Sequence, residues 1–305
     1  MTNEMPPATV EEVAPGAFAY VQLDGSWGLN NTGFIIGREH VVAIDTCFTE
    51  RRSRALIDAL RGRSGPRPVR VLVNTHHHGD HTFGNYLLRG EATIVGHELC
   101  REWILREGVT AHRLFPGVDW GEIELAPPEL TFRDRLELWV DDLRIELIFV
   151  GPAHTTNDIV AWIPERNLLY AGDVIFHGGM PFALAGSVAG WLEALGRLRA
   201  LGAETIVPGH GAICGPSVLD DIEAYLRLVQ DAARRGFESG AEPLEVARGL
   251  DLGRFGEWLD GERLAANIHR VYSELRGEPL GTPLPPAALQ DMIALNGGRP
   301  PRCLA

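Results

Sequence analysis

Along its first two thirds the chain alternates short apolar runs, rich in β-branched and aromatic residues, with stretches of helical spacing. Residues 18–23, 32–37 and 41–45 read as successive strands separated by glycine or charged turns. Residues 49–62 place Leu56, Ile57 and Leu60 on one helical face and end on Gly62. Residues 69–75 form a continuous apolar run, the pattern of a strand buried on both faces. Residues 92–97 repeat it, and a helix is expected near 98–106.

The middle of the chain turns to hairpins. Residues 136–151 hold two strands around Asp141-Asp142, and 158–173 hold another pair around 164–167. A helix over 189–201 and a strand over 204–209 follow, and beyond residue 215 the spacing is almost entirely helical, through 220–237 and 262–277. Pro/Gly-rich stretches at 124–130 and 277–286 read as loops, with no internal repeat. This order predicts an α/β fold of two sheets covered by helices, a four-layer αββα sandwich with a helical C-terminal extension. Residues 1–215 would form the catalytic domain, with the helical region 216–305 packed on it.

Composition narrows the setting. A chain of 305 residues with 45% hydrophobic content can bury a large core. Cys47, Cys100, Cys214 and Cys303 stand far apart, which argues against a disulfide framework or a cysteine zinc knuckle and suits a reducing cytoplasm. The N-terminal residues show no basic start followed by an apolar run, so no secretory signal is expected. No apolar stretch approaches the roughly 18 residues of a membrane span. A formal net charge of −13 disfavours a nucleic-acid backbone as partner.

The chemistry concentrates in 74–85, directly after the apolar run 69–73. Within it His76, His78, Asp80 and His81 form an H-x-H-x-D-H pattern. Neutral imidazole is a good zinc ligand and aspartate supplies a hard oxygen. Four such side chains in six residues cannot converge on one ion without strain, but two adjacent ions can share them.

A histidine tract alone reads equally as a solvated turn or an adventitious metal binder. Here His154, Asp173 and His210 each lie at the end of a later predicted strand, where α/β architectures gather their sites. His76, His78 and His154 would form one site, Asp80, His81 and His210 the other, with Asp173 bridging. Two ions so held sit ~3.5–4 Å apart and acidify water. Zinc is the expected metal, with iron or manganese also compatible.

Asp45, ending the strand 41–45, either orients a ligand histidine from behind or serves as an ordinary strand-end residue. His77 is expected to turn outward, and Gly79 to permit the turn. His97 reads as structural. His40, His112, His177 and His269 receive no role, although His177 lies near Asp173 in sequence.

The H-x-H-x-D-H motif with the later His, Asp and His is similar to the pattern of the metallo-β-lactamase superfamily, in the same chain order. Asp173 stands where antibiotic-degrading members generally carry Cys, and those members are exported, so the chain looks more like the glyoxalase-II-like, thioester-cleaving branch. Residues 119–138, 150–195 and 296–305 resemble the cyclase/thioesterase enzymes of bacterial aromatic (type II) polyketide pathways, of the actinorhodin type. That resemblance runs over nearly the whole chain.

It implies a polyketide substrate held as a thioester on an acyl carrier protein. A late ring would close by intramolecular aldol condensation, and hydrolysis would release the acid. Asp80 and Asp173 would be the catalytic carboxylates, Asp80 by orienting water. A flat substrate needs an apolar slot. Trp27, Asn30 and Asn31 lie in an early loop of the kind that overhangs the metals in this superfamily. Phe115, Trp120, Phe182 and Leu184 are near site elements in sequence. Trp27, Asn31 and Phe182 are the pocket candidates. The alternative is a generic glyoxalase-II-like thioester or ester hydrolase; a non-catalytic metal scaffold fits poorly with a complete ligand set. Neither a nucleic acid nor a membrane is expected as partner.

Overall fold

The structure is a computed structural model that describes residues 7–111 and 114–305. Among the described residues, the strands form two sheets. The first contains β1 (Ala8–Ala14), β2 (Ala17–Gln22), β3 (Thr32–Ile36), β4 (Val41–Ile44), β5 (Val69–Val73), β6 (Thr93–His97) and β7 (Leu130–Phe132), in chain order across the sheet. It is antiparallel from β1 to β4 and parallel from β4 to β7. Helices α1 (Glu50–Ser64) and α3 (Glu98–Glu107) belong to this half, with the single turn α2 (Gly79–Thr82) between them.

The second sheet runs β12-β11-β10-β9-β8, from β8 (Arg135–Val140), β9 (Leu143–Phe149), β10 (Ile159–Ile163), β11 (Leu168–His177) and β12 (Thr205–Gly211). Its one parallel pair, β11 and β12, is joined by a crossover through α4 (Val188–Leu201). Helices α5 (Val218–Ser239), α6 (Pro243–Gly249), α7 (Arg263–Leu275) and α8 (Ala287–Leu295) follow.

Strand alternation explains the layers. Ala17, Ala19 and Val21 of β2, Ile35 of β3 and Val42 and Ile44 of β4 face Ile145, Leu147, Ile159, Ala161 and Tyr170 across the space between the sheets. The intervening residues Phe18, Phe34, Val41 and Ala43 point outward, where Ile57 and Leu60 of α1 cover them. Burying a side chain such as Leu60 contributes ~1.5–3 kcal/mol. The opposite face of the second sheet, with Val160, Leu169 and Ile206, packs in one cluster with α4, α5 and α7. The αββα sandwich expected from the sequence is therefore the observed fold, and residues of α5, α6, α7 and α8 belong to that same cluster.

The sheets approach closely at Gly33. A Cβ there would fall 2.2 Å from the Tyr170 ring, whose hydroxyl donates to the Phe18 carbonyl at 3.0 Å.

Several elements depart from the sequence reading. β1 is a half-exposed edge strand, its Thr and Glu residues hiding it from an apolar-run search. β7 spans three residues, and α8 directly follows the Pro-rich segment 277–286 that reads as a loop. No helix among the described residues is long and apolar enough to cross a membrane.

Candidate metal centre

After β5 the chain enters a braced loop. Asn85 donates to Asn74 Oδ1 at 2.8 Å and to the Ala126 carbonyl at 2.9 Å, while Asn74 donates back to Asn85 Oδ1 at 3.1 Å. This reciprocal pair holds both ends of 74–85. Thr82 Oγ1 donates to the His78 carbonyl at 2.9 Å, tightening the turn of α2.

Two donor groups converge at the sheet ends. One comprises His76, His78, His154 and Asp173; the other comprises Asp80, His81 and His210; within each, the ligand atoms lie within 4.8 Å of one another. Asp173 touches both groups, with Oδ2 3.2 Å from His154 Nε2 and 3.4 Å from His210 Nε2, and Oδ1 3.0 Å from His81 Nε2. Asp80 Oδ2 lies 3.2 Å from His210 Nε2. His78 turns Nδ1 inward, 2.7 Å from His154 Nε2. All seven residues singled out by spacing are thus brought together.

Buried His76 Nε2, His81 Nε2 and Asp173 Oδ1 have no hydrogen-bond partner. Buried polar atoms without hydrogen-bond partners are costly in the absence of an ion and are satisfied by one. The imidazole and carboxylate set fits divalent transition metals. Asp173 lies within β11 rather than at its end, at a register shift around Gly172. It can sit so close to β12 because position 209 is glycine: a Cβ there would stand 2.0 Å from Asp173 Oδ1.

A second layer fixes the ligands. Asp45 accepts from Thr75 N at 2.8 Å and from Thr75 Oγ1 at 2.6 Å, and pairs with His81 Nδ1 at 2.8 Å. Of the two readings left open for Asp45, orientation of a ligand histidine is the one its contacts match. Its backbone is left-handed, φ 61°, a conformation an Asp adopts at a cost. His154 Nδ1 donates to the Phe182 carbonyl, and His210 Nδ1 to the Gly25 carbonyl at 2.9 Å. Asp158 gathers Thr155 N at 2.8 Å, Thr155 Oγ1 at 2.6 Å and Ala153 N at 3.2 Å, shaping the His154 loop.

The electrostatics divide the histidines. Burial holds His76 and His78 well below the usual imidazole range and takes His154 down to about 4. Burial also opposes protonation of His81 and His210, but Asp173 with Asp45 and Asp80 outweighs it. His81 is pushed well above its ordinary value and His210 up to about 9. Burial would raise Asp173; His210, His81 and His154 more than reverse this and hold it well below the carboxylate range.

A cavity of ≈ 120 Å³ opens beside the donors, walled by Trp27, Phe48, Phe115, Phe176 and Phe182, with His78, Asp80, His154, Asp173, His210 and Arg263. Trp27 and Phe182, two of the pocket candidates, line it, their rings 5.0 Å apart. The third, Asn31, does not. Its amide is spent on the Pro208 and Gly211 carbonyls at 3.0 and 2.7 Å, so it positions His210 instead. Asn30 is likewise buried against the Thr46 carbonyl at 2.8 Å. Phe115 is a wall residue, whereas Trp120 and Leu184 are not.

His77 does point away from the donors, but into the protein rather than outward, packed on Trp103 and bonded to Asn157 at 2.9 Å. His97 stacks on Phe149 and caps α3. His177 is exposed and bonds the Ala212 carbonyl. His112 lies outside the described residues.

Arg263, Glu262, Asp158 and Thr75 were missed by the sequence reading. Thr75 and Asp158 had a faint signal in their closeness to His76 and to the His154 loop. Arg263 and Glu262 had none, sitting in a helical run far from the motif.

Comparison with known proteins agrees with this geometry. The family model described as the metallo-beta-lactamase superfamily matches residues 25–210. The alpha subunit of 2,4-dinitroanisole O-demethylase from Nocardioides sp. (strain JS1661) is 27% identical over 289 residues, spanning 92% of this chain and 74% of that one. A hydroxyacylglutathione hydrolase from Rhodospirillum rubrum is 33% identical over 136 residues, 45% of each chain. Among solved structures, a metallo-beta-lactamase from Pontibacter korlensis superposes with a TM-score of 0.62 at 20% identity, covering 72% of this chain and 99% of that one; at that identity the likeness bears on the fold.

Proposed function

The chain belongs to the metallo-beta-lactamase superfamily, and on that premise we propose that it is a dinuclear zinc hydrolase that cleaves the thioester of a compact aromatic acyl group, giving the acid and the free thiol. The observation that carries this reading is Asp173 standing in contact with both donor groups at the floor of an aromatic cavity. His76, His78 and His154 would hold one ion, Asp80, His81 and His210 the other, and Asp173 both. Bound there, two such ions supply Lewis-acid polarisation of the scissile carbonyl and a nucleophile at neutral pH.

The chain's own residues do the rest. The Asp80 carboxylate is 15% exposed against 4% for Asp173, so it is the carboxylate a water reaches, and it orients that water and accepts its proton. Asp45, through His81, and the Phe182 carbonyl, through His154, fix the imidazole orientation. The aromatic walls exclude water and sandwich a planar ring.

A cavity of ≈ 120 Å³ has room for about one aromatic ring. The hydroxyacylglutathione hydrolase match supports thioester cleavage; the dinitroanisole demethylase match, over most of the chain, supports a single-ring substrate. Four free cysteines suit a cytoplasmic setting.

The polyketide cyclase/thioesterase activity, with an acyl carrier protein as partner, is the second reading. The continuous aromatic wall favours it; it requires the cavity to widen for a multi-ring chain. Initial rates on benzoyl, naphthoyl and linear β-ketoacyl thioesters, with 2,4-dinitroanisole alongside, separate these readings. Benzoyl thioester cleaved fastest is expected. Ring closure of a tethered poly-β-ketone, with benzoyl thioester inert, would put the cyclase reading first; methanol released only from the anisole would replace thioester cleavage with ether hydrolysis.

A further inference from the structure

Arg263, the only lysine or arginine lining the cavity among the described residues, comes from α7, beyond the stretch that carries the metal donors. Its side chain is 2% exposed. Nη1 donates to the Met180 carbonyl at 2.9 Å, Nη2 lies 2.8 Å from Asp260 Oδ2, and the guanidinium carbon is 4.0 Å from the Trp27 ring centroid. Trp27 is itself held from the same segment, its Nε1 donating to Glu262 at 2.8 Å. Burying a guanidinium is expensive unless its N–H groups are matched. Asp260 offsets the charge, yet Nε is buried with no partner. A fork with an unmatched Nε, in the wall of an aromatic cavity that His78, Asp80, His154, Asp173 and His210 also line, matches a planar two-oxygen acceptor in two-point contact.

We propose that Arg263 is a specificity-determining residue that reads a planar two-oxygen group, a carboxylate or a nitro group, carried by the substrate ring away from the bond that is cleaved. This deepens the hydrolase reading above and rests on it for the pocket's occupant. Asp260 and Glu262 are positioning residues for the fork and for Trp27.

The test is calorimetric binding to the zinc-loaded protein of benzoate, the three benzenedicarboxylates and the three nitrobenzoates. Benzoate supplies one carboxylate for the metals; each isomer adds a second two-oxygen group in a different direction. At least one isomer is expected to bind about tenfold tighter than benzoate, as a good charge-assisted contact gives. Arg263→Met should erase that gain, bringing the ratio of each isomer's affinity to benzoate's, measured on the same zinc-loaded variant, down to about one. Carboxylate and nitro series are read separately, so either source of the acceptor is identified. No gain for any isomer on the unmodified protein overturns the proposal, as does a gain that survives in folded Arg263→Met. Where Arg263→Met does not fold, Arg263→Lys decides: it keeps the charge without the fork, and full retention of the gain overturns the proposal. A gain in a protein that cleaves no thioester leaves Arg263's role standing and removes the hydrolase reading; thioester cleavage without a gain does the reverse.

Discussion

The Nδ1–H of His154 is fixed by the backbone carbonyl of Phe182, and the segment that presents this carbonyl is gripped by a helix from the far end of the chain. Arg263, Asn267 and Arg270 recur at i, i+4 and i+7 on α7, one face of that helix. Arg263 donates to the Met180 carbonyl; Asn267 donates to the Pro181 carbonyl at 2.8 Å and accepts from Ala183 N at 2.8 Å; Arg270 donates to the Ala183 and Leu184 carbonyls. A buried polar stripe on α7 thus sets the height of a candidate metal donor on another layer.

Asn267→Ala strands the Pro181 carbonyl and the Ala183 N–H in a buried site. A loss of about 1–3 kcal/mol in urea unfolding is expected. Because the Phe182 carbonyl then drifts from His154, zinc affinity in chelator competition should fall by about tenfold or more.

Asp45→Ala removes the acceptor of Thr75 N, Thr75 Oγ1 and His81 Nδ1 together. Metal affinity should drop about 10–100-fold, and first at the group containing Asp80, His81 and His210. Titration of the metal-free variant with zinc, read by calorimetry, should show one class of site weakened more than the other.

In the metal-free protein the aspartates keep His81 and His210 protonated at neutral pH, while His76, His78 and His154 are neutral. Filling the site must displace those protons, about two per chain near pH 7. Calorimetric zinc binding in buffers of different ionisation enthalpy measures the number; release near zero would show that the aspartates do not hold these imidazoles charged.

How much of this was legible in the sequence depends on where each residue's signal lay. The metal donors announce themselves because four fall within one loop and the others follow strand-like runs, so chemistry and periodicity coincide. Trp27 could be placed near the pocket only through the family resemblance, and Phe182 through its nearness in sequence to site elements. Asn31 looked like a pocket residue because it shares Trp27's loop, yet backbone carbonyls of β12 compete for its amide and win. Arg263 left no trace, because a buried cation in an amphipathic run looks like a solvated one until the facing carbonyls are known. The sandwich followed from alternation. β1 and α8 did not, one being an edge strand with polar residues and the other flanked by proline.

Burial pushes the Asp158 carboxyl from 3.8 up to about 6, against the pull of its Thr155 hydrogen bonds. Between those values the folded metal-free protein binds the proton that the unfolded chain has released, so this residue makes stability fall as pH rises from about 4 to about 6 and its cost stays in full above that. Asp158→Asn removes that segment. The wild-type minus variant stability, from urea unfolding at several pH values, should therefore decrease across the window; a flat difference would show that Asp158 is not held protonated by its burial.

The most direct measurement is thiol release from a benzoyl thioester as zinc is returned stepwise to the metal-free protein. Negligible release without metal, reaching its full rate at about two zinc per chain, is the expected result. Release that persists after complete metal removal, or a protein holding two zinc ions that frees no thiol, contradicts the assignment of thioester hydrolysis to this candidate metal centre.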